Sequence, residues 1–421
     1  MVLLPQLPTR PPVITPGDPQ SVQAFWNTDA SDALGRRLGQ ILDASPHLRE
    51  PTYAPTPWAR SSKANFLLAT ARSRLGALRR TVEPPLTGRY SATAHPDVIV
   101  EWSKDPLGAA LPPEAPIVAF LHTITGTAGQ TRWLMKYASS RGWRSCVFVR
   151  RGHAKARLAT PSFNLLGDVG DVELQLAAVR DAYPHASFLG MVGVSAGSAQ
   201  LISYLGRAGP ATPVGAACAI CPAWDVPTAF ARMGEGEPLA ERAMVRQVQK
   251  TFVRRNERVL RAWDADAVDA CLAADDLPGL LAAHAPFAMR RRGASADEYL
   301  ASHDPMAVRA NVSVPTLLLN AEDDFVCPVD LARPDVVCSE LPGTLLLITK
   351  EGSHVAFNEG RLGRKSFHAR VSFDFLDAAR ETGEEEVAPA MVPSPKGVWV
   401  KPARRVVVSS FASRPALPNL S

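Results

Sequence analysis

Ala186-Ser187-Phe188-Leu189-Gly190-Met191-Val192-Gly193-Val194-Ser195-Ala196-Gly197-Ser198-Ala199-Gln200-Leu201-Ile202-Ser203-Tyr204-Leu205-Gly206 is the stretch whose reading decides the fold. Ser187 to Val194 has the pattern of a short buried strand, and Ala199, Ile202 and Leu205 follow at helical spacing. Between them Gly193-Val194-Ser195-Ala196-Gly197 fits G-x-S-x-G, whose glycines let the chain turn tightly enough to hold a serine hydroxyl up in a strained backbone conformation. Three fixed positions recur by chance in long chains. The motif counts here because a strand precedes it and a helix follows it, which makes it a nucleophile elbow with Ser195 at its tip.

Upstream, Pro116 to Leu121 is a continuous apolar run, as expected of a central strand, and it ends in His122-Thr123-Ile124-Thr125-Gly126. A helix is predicted over Thr131 to Ser140, then a strand over Arg144 to Val149 ending in Arg150-Arg151-Gly152. Asp168 to Asp181 reads as the next helix, with Asp168 as N-cap, Val172, Leu176 and Val179 inward, and Pro184 beyond its end. Arg89 to Trp102 alternates and should form outer antiparallel strands. This rhythm predicts an α/β fold: a mostly parallel, twisted sheet covered by helices on both faces. In such sheets ligands meet the loops at the carboxyl ends of the strands, where the His122, Arg151 and Ser195 loops all fall.

Downstream, residues 223–312 turn helical and read as a cap inserted after the strand that ends at Cys221. One long helix is expected from Ala240 to Trp263, basic along one side through Arg246, Lys250, Arg254, Arg258 and Arg261; a solvated face is the ordinary meaning, attraction to an anionic surface or acidic partner the other. Strands return at Val314–Asn320 and Thr344–Ile348, followed by Ala321-Glu322-Asp323-Asp324 and Glu351-Gly352-Ser353-His354, and a last helix spans Arg364 to Arg380. The expected division is therefore a poorly ordered segment over 1–50, with one helix around Asp32 to Leu42, the first part of the core over 51–222, the cap over 223–312, the second part over 313–380, and a disordered tail over 381–421. Asn65 to Leu78 is a basic amphipathic helix that packs on its own domain in the ordinary reading and allows peripheral membrane contact in the other.

Composition narrows the class. A chain of 421 residues with 46% hydrophobic content can bury one large core plus an insertion, and a net charge of +5 scattered among 41 acids is no nucleic-acid footprint. No apolar run approaches the roughly 18 residues of a membrane span, and residues 1–20 lack the features of a signal peptide, so a cytoplasmic location is the default expectation. Among the six cysteines only Cys218-Ala219-Ile220-Cys221 has a paired spacing, and it lies on a strand rather than opening a helix; packed core thiols are expected, not a redox or zinc site.

The loops after the strands thus offer Ser195, then Asp323 or Asp324, then His354, in the chain order of the alpha/beta hydrolases. Serine is a poor nucleophile until an imidazole takes its proton, and that imidazole needs a carboxylate to fix its tautomer and stabilise its cation. Asp324 is preferred because it precedes Pro328 with the usual turn spacing; Asp323 is the alternative. The oxyanion requires two backbone amides: Ala196, directly after the nucleophile, and one from the His122 loop, with Ile124 preferred over Thr123. No metal or organic cofactor is required.

With these residues placed, the chain resembles the alpha/beta-hydrolase esterase family that includes fungal medium-chain fatty acid ethyl ester synthase/esterases, animal phospholipase-like members and a plant embryogenesis-associated group. The likeness covers roughly Tyr53 to Ala379 and rests on Tyr53–Trp58, Pro96-Asp97 to Trp102, His122–Gly126, Arg150-Arg151-Gly152, Leu158–Pro161, Asp168, Gly193–Gly197, Tyr204-Leu205-Gly206, Cys221–Asp225, Glu298-Tyr299 and Asn320–Asp324. The resemblance implies hydrolysis or alcoholysis of acyl esters by Ser195, Asp324 and His354, with medium-chain esters, acylglycerols or phospholipids as substrates. Two positions depart from it: Thr123 stands where the family usually has glycine in His-Gly-Leu-Thr-Gly, and Ser198 stands where it has a second glycine. Besides hydrolysis, the same triad can pass an acyl group to an alcohol, and a hydrolase scaffold weakened at these two positions can serve as a binding module.

Overall fold

The computed structural model describes residues 22–26, 32–78, 86–103, 111–126, 131–153, 157–332, 337, 341, 343–385, 392–393 and 399–400. Six strands whose residues are buried without alternation form the parallel body of a sheet: β4 (Ile117–Leu121), β5 (Arg144–Val149), β6 (Leu189–Val194), β7 (Ala216–Ile220), β8 (Thr316–Ala321) and β9 (Thr344–Thr349). Their pairing is parallel throughout, while β2 (Leu86–Ala92) and β3 (Ile99–Ser103) add antiparallel strands beyond β5, and β1 (Gln23–Trp26) closes the opposite edge against β9. The spatial order is β1-β9-β8-β7-β6-β4-β5-β3-β2.

Strands this apolar need cover on both sides. Along β4, Val118 and Phe120 pack on one face with helix α1 (Ala33–Ala44), α3 (Arg132–Ser140) and the C-terminal helix Phe367–Glu385; Ile117, Ala119 and Leu121 pack on the other with α4 (Val169–Ala182) and α5 (Ala196–Ala208). Asp168 caps α4 by accepting the Gly170 amide, 2.7 Å away. The order reverses at β4: the chain winds outward to β5 and then returns to β6 on the other side. This reversal opens a crevice at the carboxyl ends of β4 and β6, where such sheets hold their ligands.

Two readings need revision. Residues 22–26 and 32–50 are not a loose lead-in, since β1 pairs with β9 and α1 buries Leu38, Ile41 and Leu42 completely; four apolar-edged residues carry too little pattern to announce an edge strand whose partner lies far along the chain. The single helix expected over Ala240–Trp263 is instead α7 (Pro238–Val248), a π-turn at Gln249–Val253, a 3-10 turn at Arg254–Asn256 and α8 (Glu257–Trp263). These belong to the helices that run between β7 and β8 from α6 (Val226–Gly236) to Asn311, and their apolar side chains join Ile124, Phe163, Leu165 and Ala196 in a third core cluster beside the crevice. Most of residues 381–421 lies outside the described residues. No helix among the described residues is long and apolar enough to cross a membrane.

Candidate active site

Ser195 sits between β6 and α5 with φ 55° and ψ −121°, a backbone state that L residues avoid. The neighbouring glycines make it accessible. A Cβ at position 193 would lie 2.5 Å from the Gly197 carbonyl oxygen, and one at position 197 would lie 2.3 Å from that of Leu121. The start of α5 therefore presses against both its own strand and the end of β4. Ser195 donates its amide to Ile220 on β7 (2.8 Å), and the buried Ser198 hydroxyl caps the Ser195 carbonyl, which gives the residue at the family's second-glycine position a supporting contact.

The side chains of Ser195, His354 and Asp324 come together, all buried. His354 Nε2 is 2.8 Å from Ser195 Oγ, and Nδ1 is 2.9 and 3.1 Å from the two Asp324 oxygens. Asp324 Oδ1 also accepts the Val326 and Cys327 amides at 2.8 Å each, so the turn toward Pro328 orients the carboxylate. Asp323 points elsewhere. Its Oδ1 accepts the Ser353 amide at 2.7 Å, while its Oδ2 is buried without a partner. Burial, opposed by that amide and reinforced by the charge of Asp324, raises the Asp323 carboxyl to about 6. The histidine loop is itself a strained hairpin of backbone, with positive φ at Ser353, Val355 and Phe357.

Cys221, at φ 51° after β7, accepts the Val355 amide at 3.4 Å. Its sulfur, an Asp324 oxygen and a His354 nitrogen lie within 4.8 Å of one another, the donor types of a zinc site. Burial first, and then the Asp324 charge, holds this thiol well above its usual range. The imidazole of this group is engaged by Asp324 and Ser195.

Ala196 and Ile124 are both buried beside the elbow, and neither amide has an acceptor among the described residues; nor has that of Thr123. The His122, Thr123 and Ile124 carbonyls of this loop are held. Arg150 at the end of β5 donates to His122 O (3.0 Å), Thr123 O (3.2 Å) and Leu165 O (3.0 Å). His122 Nδ1 donates to Thr123 O at 2.9 Å, and Nε2 accepts the Arg150 amide at 3.3 Å. Burial and the adjacent Arg150 lower His122 to about 3, so it stays neutral and keeps this tautomer. His153 lies 3.2 Å from both Ile124 O and Arg151 O and stacks on Phe252, ring centroids 3.7 Å apart. Burial, then His122 and Arg150, keep it neutral too, so it donates to one of the two carbonyls at a time. Arg150 itself is fully buried, lowered by burial to about 10, and remains a cation at neutral pH.

Arg150, His153 and Cys221 were not named for these contacts from sequence. The signal for Arg150 and His153 was available: two strands adjacent in the sheet, β4 and β5, each end in polar residues, and their loops must meet. Nothing in the chain marked Cys221 as different from Cys218.

No family model matches the chain. Phospholipase ABHD3 of Bos taurus is 27% identical over 361 residues, covering 82% of this chain and 82% of that protein. The embryogenesis-associated protein EMB8 of Picea glauca is 23% identical over 258 residues, 59% of this chain and 55% of the relative, and the monoacylglycerol lipase of Saccharomyces cerevisiae is 23% identical over 265 residues, 59% and 56%. Among solved structures, the esterase Pf2001 of Pyrococcus furiosus is 15% identical with a TM-score of 0.43, covering 69% of this chain and 92% of that one.

Proposed function

We propose that this chain, an alpha/beta hydrolase by its strand order and its relatives, is a serine ester hydrolase that cleaves medium-chain acyl esters, acylglycerols or phospholipids through an acyl-enzyme on Ser195. The observation that carries the proposal is the unbroken chain of contacts from the amide-held Asp324 through His354 to Ser195 Oγ. Relatives named phospholipase and monoacylglycerol lipase support a lipid ester as the substrate class. The apolar cluster that joins Ile124 and Ala196 to the helices over the crevice supports an acyl chain lying there.

In the first half-reaction Ser195 Oγ attacks the ester carbonyl carbon while His354 Nε2 takes the hydroxyl proton. The carbonyl oxygen becomes an oxyanion facing the Ala196 amide and one from the His122 loop, that of Ile124 in preference to Thr123. The C–O bond to the alcohol then breaks, and the imidazolium returns its proton to the leaving oxygen. Water repeats the sequence on the acyl-enzyme, releasing the acid and restoring Ser195. Asp324 fixes Nδ1–H on the imidazole and stabilises its cation throughout.

A fluorophosphonate probe tests the reading. Wild-type protein should be labelled and Ser195→Ala should not, and p-nitrophenyl esters of increasing chain length should show an optimum. Added ethanol separates the two uses of the acyl-enzyme, since ethyl ester formed in water would assign acyl transfer. Folded wild-type protein that resists the probe would overturn the enzyme reading in favour of a binding scaffold.

A further inference from the structure

Five cations line the outside of one helical rod. Arg242, Arg246, Lys250, Arg254 and Arg258 recur every fourth residue through α7, the π-turn, the 3-10 turn and α8, and all five are exposed. The opposite side of the rod is packed, with Val245, Val248, Phe252, Val253 and Leu260 buried. None of the five makes a salt bridge or side-chain hydrogen bond among the described residues, in contrast to Arg261, which is held by Glu257 and Asp269. Like charges four apart on a helix repel, so an unneutralised row of five works against the rod's own stability.

The row begins at Leu239, which is 80% exposed. The other exposed large hydrophobic side chains among the described residues are Trp58, Leu67 and Leu362, and local contacts join them to the same end of the rod. Lys63, one turn before Leu67 on helix α2 (Ser62–Leu78), is 3.0 Å from Glu237, two residues before Leu239. The Trp58 indole donates to Arg361 O at 2.7 Å, beside Leu362, and a Cβ on Gly363 would come within 2.6 Å of Leu68. This apolar end borders the active site: Ser62 Oγ lies 2.8 Å from Asp323 O and 2.9 Å from Ser353 Oγ, and the Phe66 ring stands 5.3 Å from that of Phe325.

We propose that this band is a docking surface for an anionic lipid bilayer. The cations supply attraction to negative headgroups over a ridge about 24 Å long, and the leucines and tryptophan at its head supply insertion beside the catalytic loops. An acidic protein would match the cations but leave the exposed apolar side chains without a role. The surface is independent of the chemistry at Ser195.

Sedimentation with vesicles of phosphatidylcholine, with and without phosphatidylserine, tests it. The full chain should bind the mixed vesicles and leave the neutral ones, with binding falling as salt is raised. The variant Arg246→Ala/Lys250→Ala/Arg254→Ala should lose about a hundredfold in partitioning, roughly fivefold per cation. Leu67→Asp/Leu239→Asp should lose about tenfold or more, and both variants should keep wild-type hydrolysis of a soluble short-chain ester. Ser195→Ala should bind as wild type does, which keeps this outcome separate from the reading of the triad. Equal binding to both vesicle types, no binding, or an unaffected alanine variant would overturn the proposal. Retention on immobilised polyglutamate without vesicle binding would reassign the ridge to an acidic polypeptide.

Discussion

Asp323 and Asp324 are adjacent carboxylates with opposite surroundings. Asp324 receives two amides and the imidazole, whereas Asp323 receives one amide and leaves a buried oxygen unpaired. Asp324→Asn should therefore lower kcat by about 10³–10⁴-fold by presenting the wrong hydrogen-bond partner to Nδ1, and Asp323→Asn should retain most activity, because its amide oxygen still accepts from Ser353. Steady-state hydrolysis of one ester by both variants checks this, and the reverse pattern would move the catalytic acid to Asp323. Stability should separate them as well. The raised Asp323 carboxyl means that the folded state holds a proton that the unfolded state has lost between about pH 4 and 6. Wild-type stability thus contains a component that is present below about pH 4 and is lost as the pH rises through about 6. Asp323→Asn lacks it, so the difference in melting temperature, mutant minus wild type, should grow across that window and stay constant above it. A flat difference would show that the carboxyl is not perturbed.

At the scale of elements, the catalytic crevice depends on how β4 and β5 end. Arg150 holds the carbonyls of His122, Thr123 and Leu165 while the Thr123 and Ile124 amides have no acceptor among the described residues, which on the proposed reading makes it a positioning residue for the oxyanion donors rather than a contact to substrate. Arg150→Met removes the side-chain donor from the His122 and Leu165 carbonyls and leaves Thr123 O to His122 Nδ1 and the Gly126 amide. We expect kcat to fall about a hundredfold with KM within a few-fold, the signature of a weakened oxyanion contact, and Arg150→Lys to recover part of it. A lower melting temperature with unchanged kcat would reduce Arg150 to a packing role. This part of the site was only half legible in the chain. The elbow could be read because its strand, glycines and helix are contiguous, and His354 because it follows the last strand. Arg150 and His153 act on residues of another strand, so their roles depend on β4 and β5 being neighbours and on which way each loop turns, which local periodicity does not encode. The choice between Asp323 and Asp324 depends likewise on a turn whose successive side chains face opposite ways.

For the whole molecule, the same distinction between local and distant pairing decides what sequence reveals. The six buried parallel strands announce themselves as continuous apolar runs, and their alternation with helices is enough to predict the sheet. The edge was not legible: Gln23-Ala24-Phe25-Trp26 is too short to show a period, and its partner is β9, near the other end of the fold. Yet that short strand has a large task. β9, Thr344-Leu345-Leu346-Leu347-Ile348-Thr349, is buried throughout, and without β1 its outer row of amides and carbonyls would be an open, apolar template for another chain. Removing residues 1–26 should therefore leave the triad intact but lower the melting temperature and promote association. A truncated protein that is labelled by the fluorophosphonate probe when fresh, then forms aggregates with concentration and heating far sooner than the full chain, is the expected result. Phe25→Lys/Trp26→Lys in the full chain is the companion variant, because it keeps the backbone pairing available. It should melt earlier through lost packing but remain monomeric by light scattering. If the truncated chain stays monomeric and melts with the full-length protein, β9 does not need its edge covered, and β1 contributes nothing to the sheet beyond its own four residues.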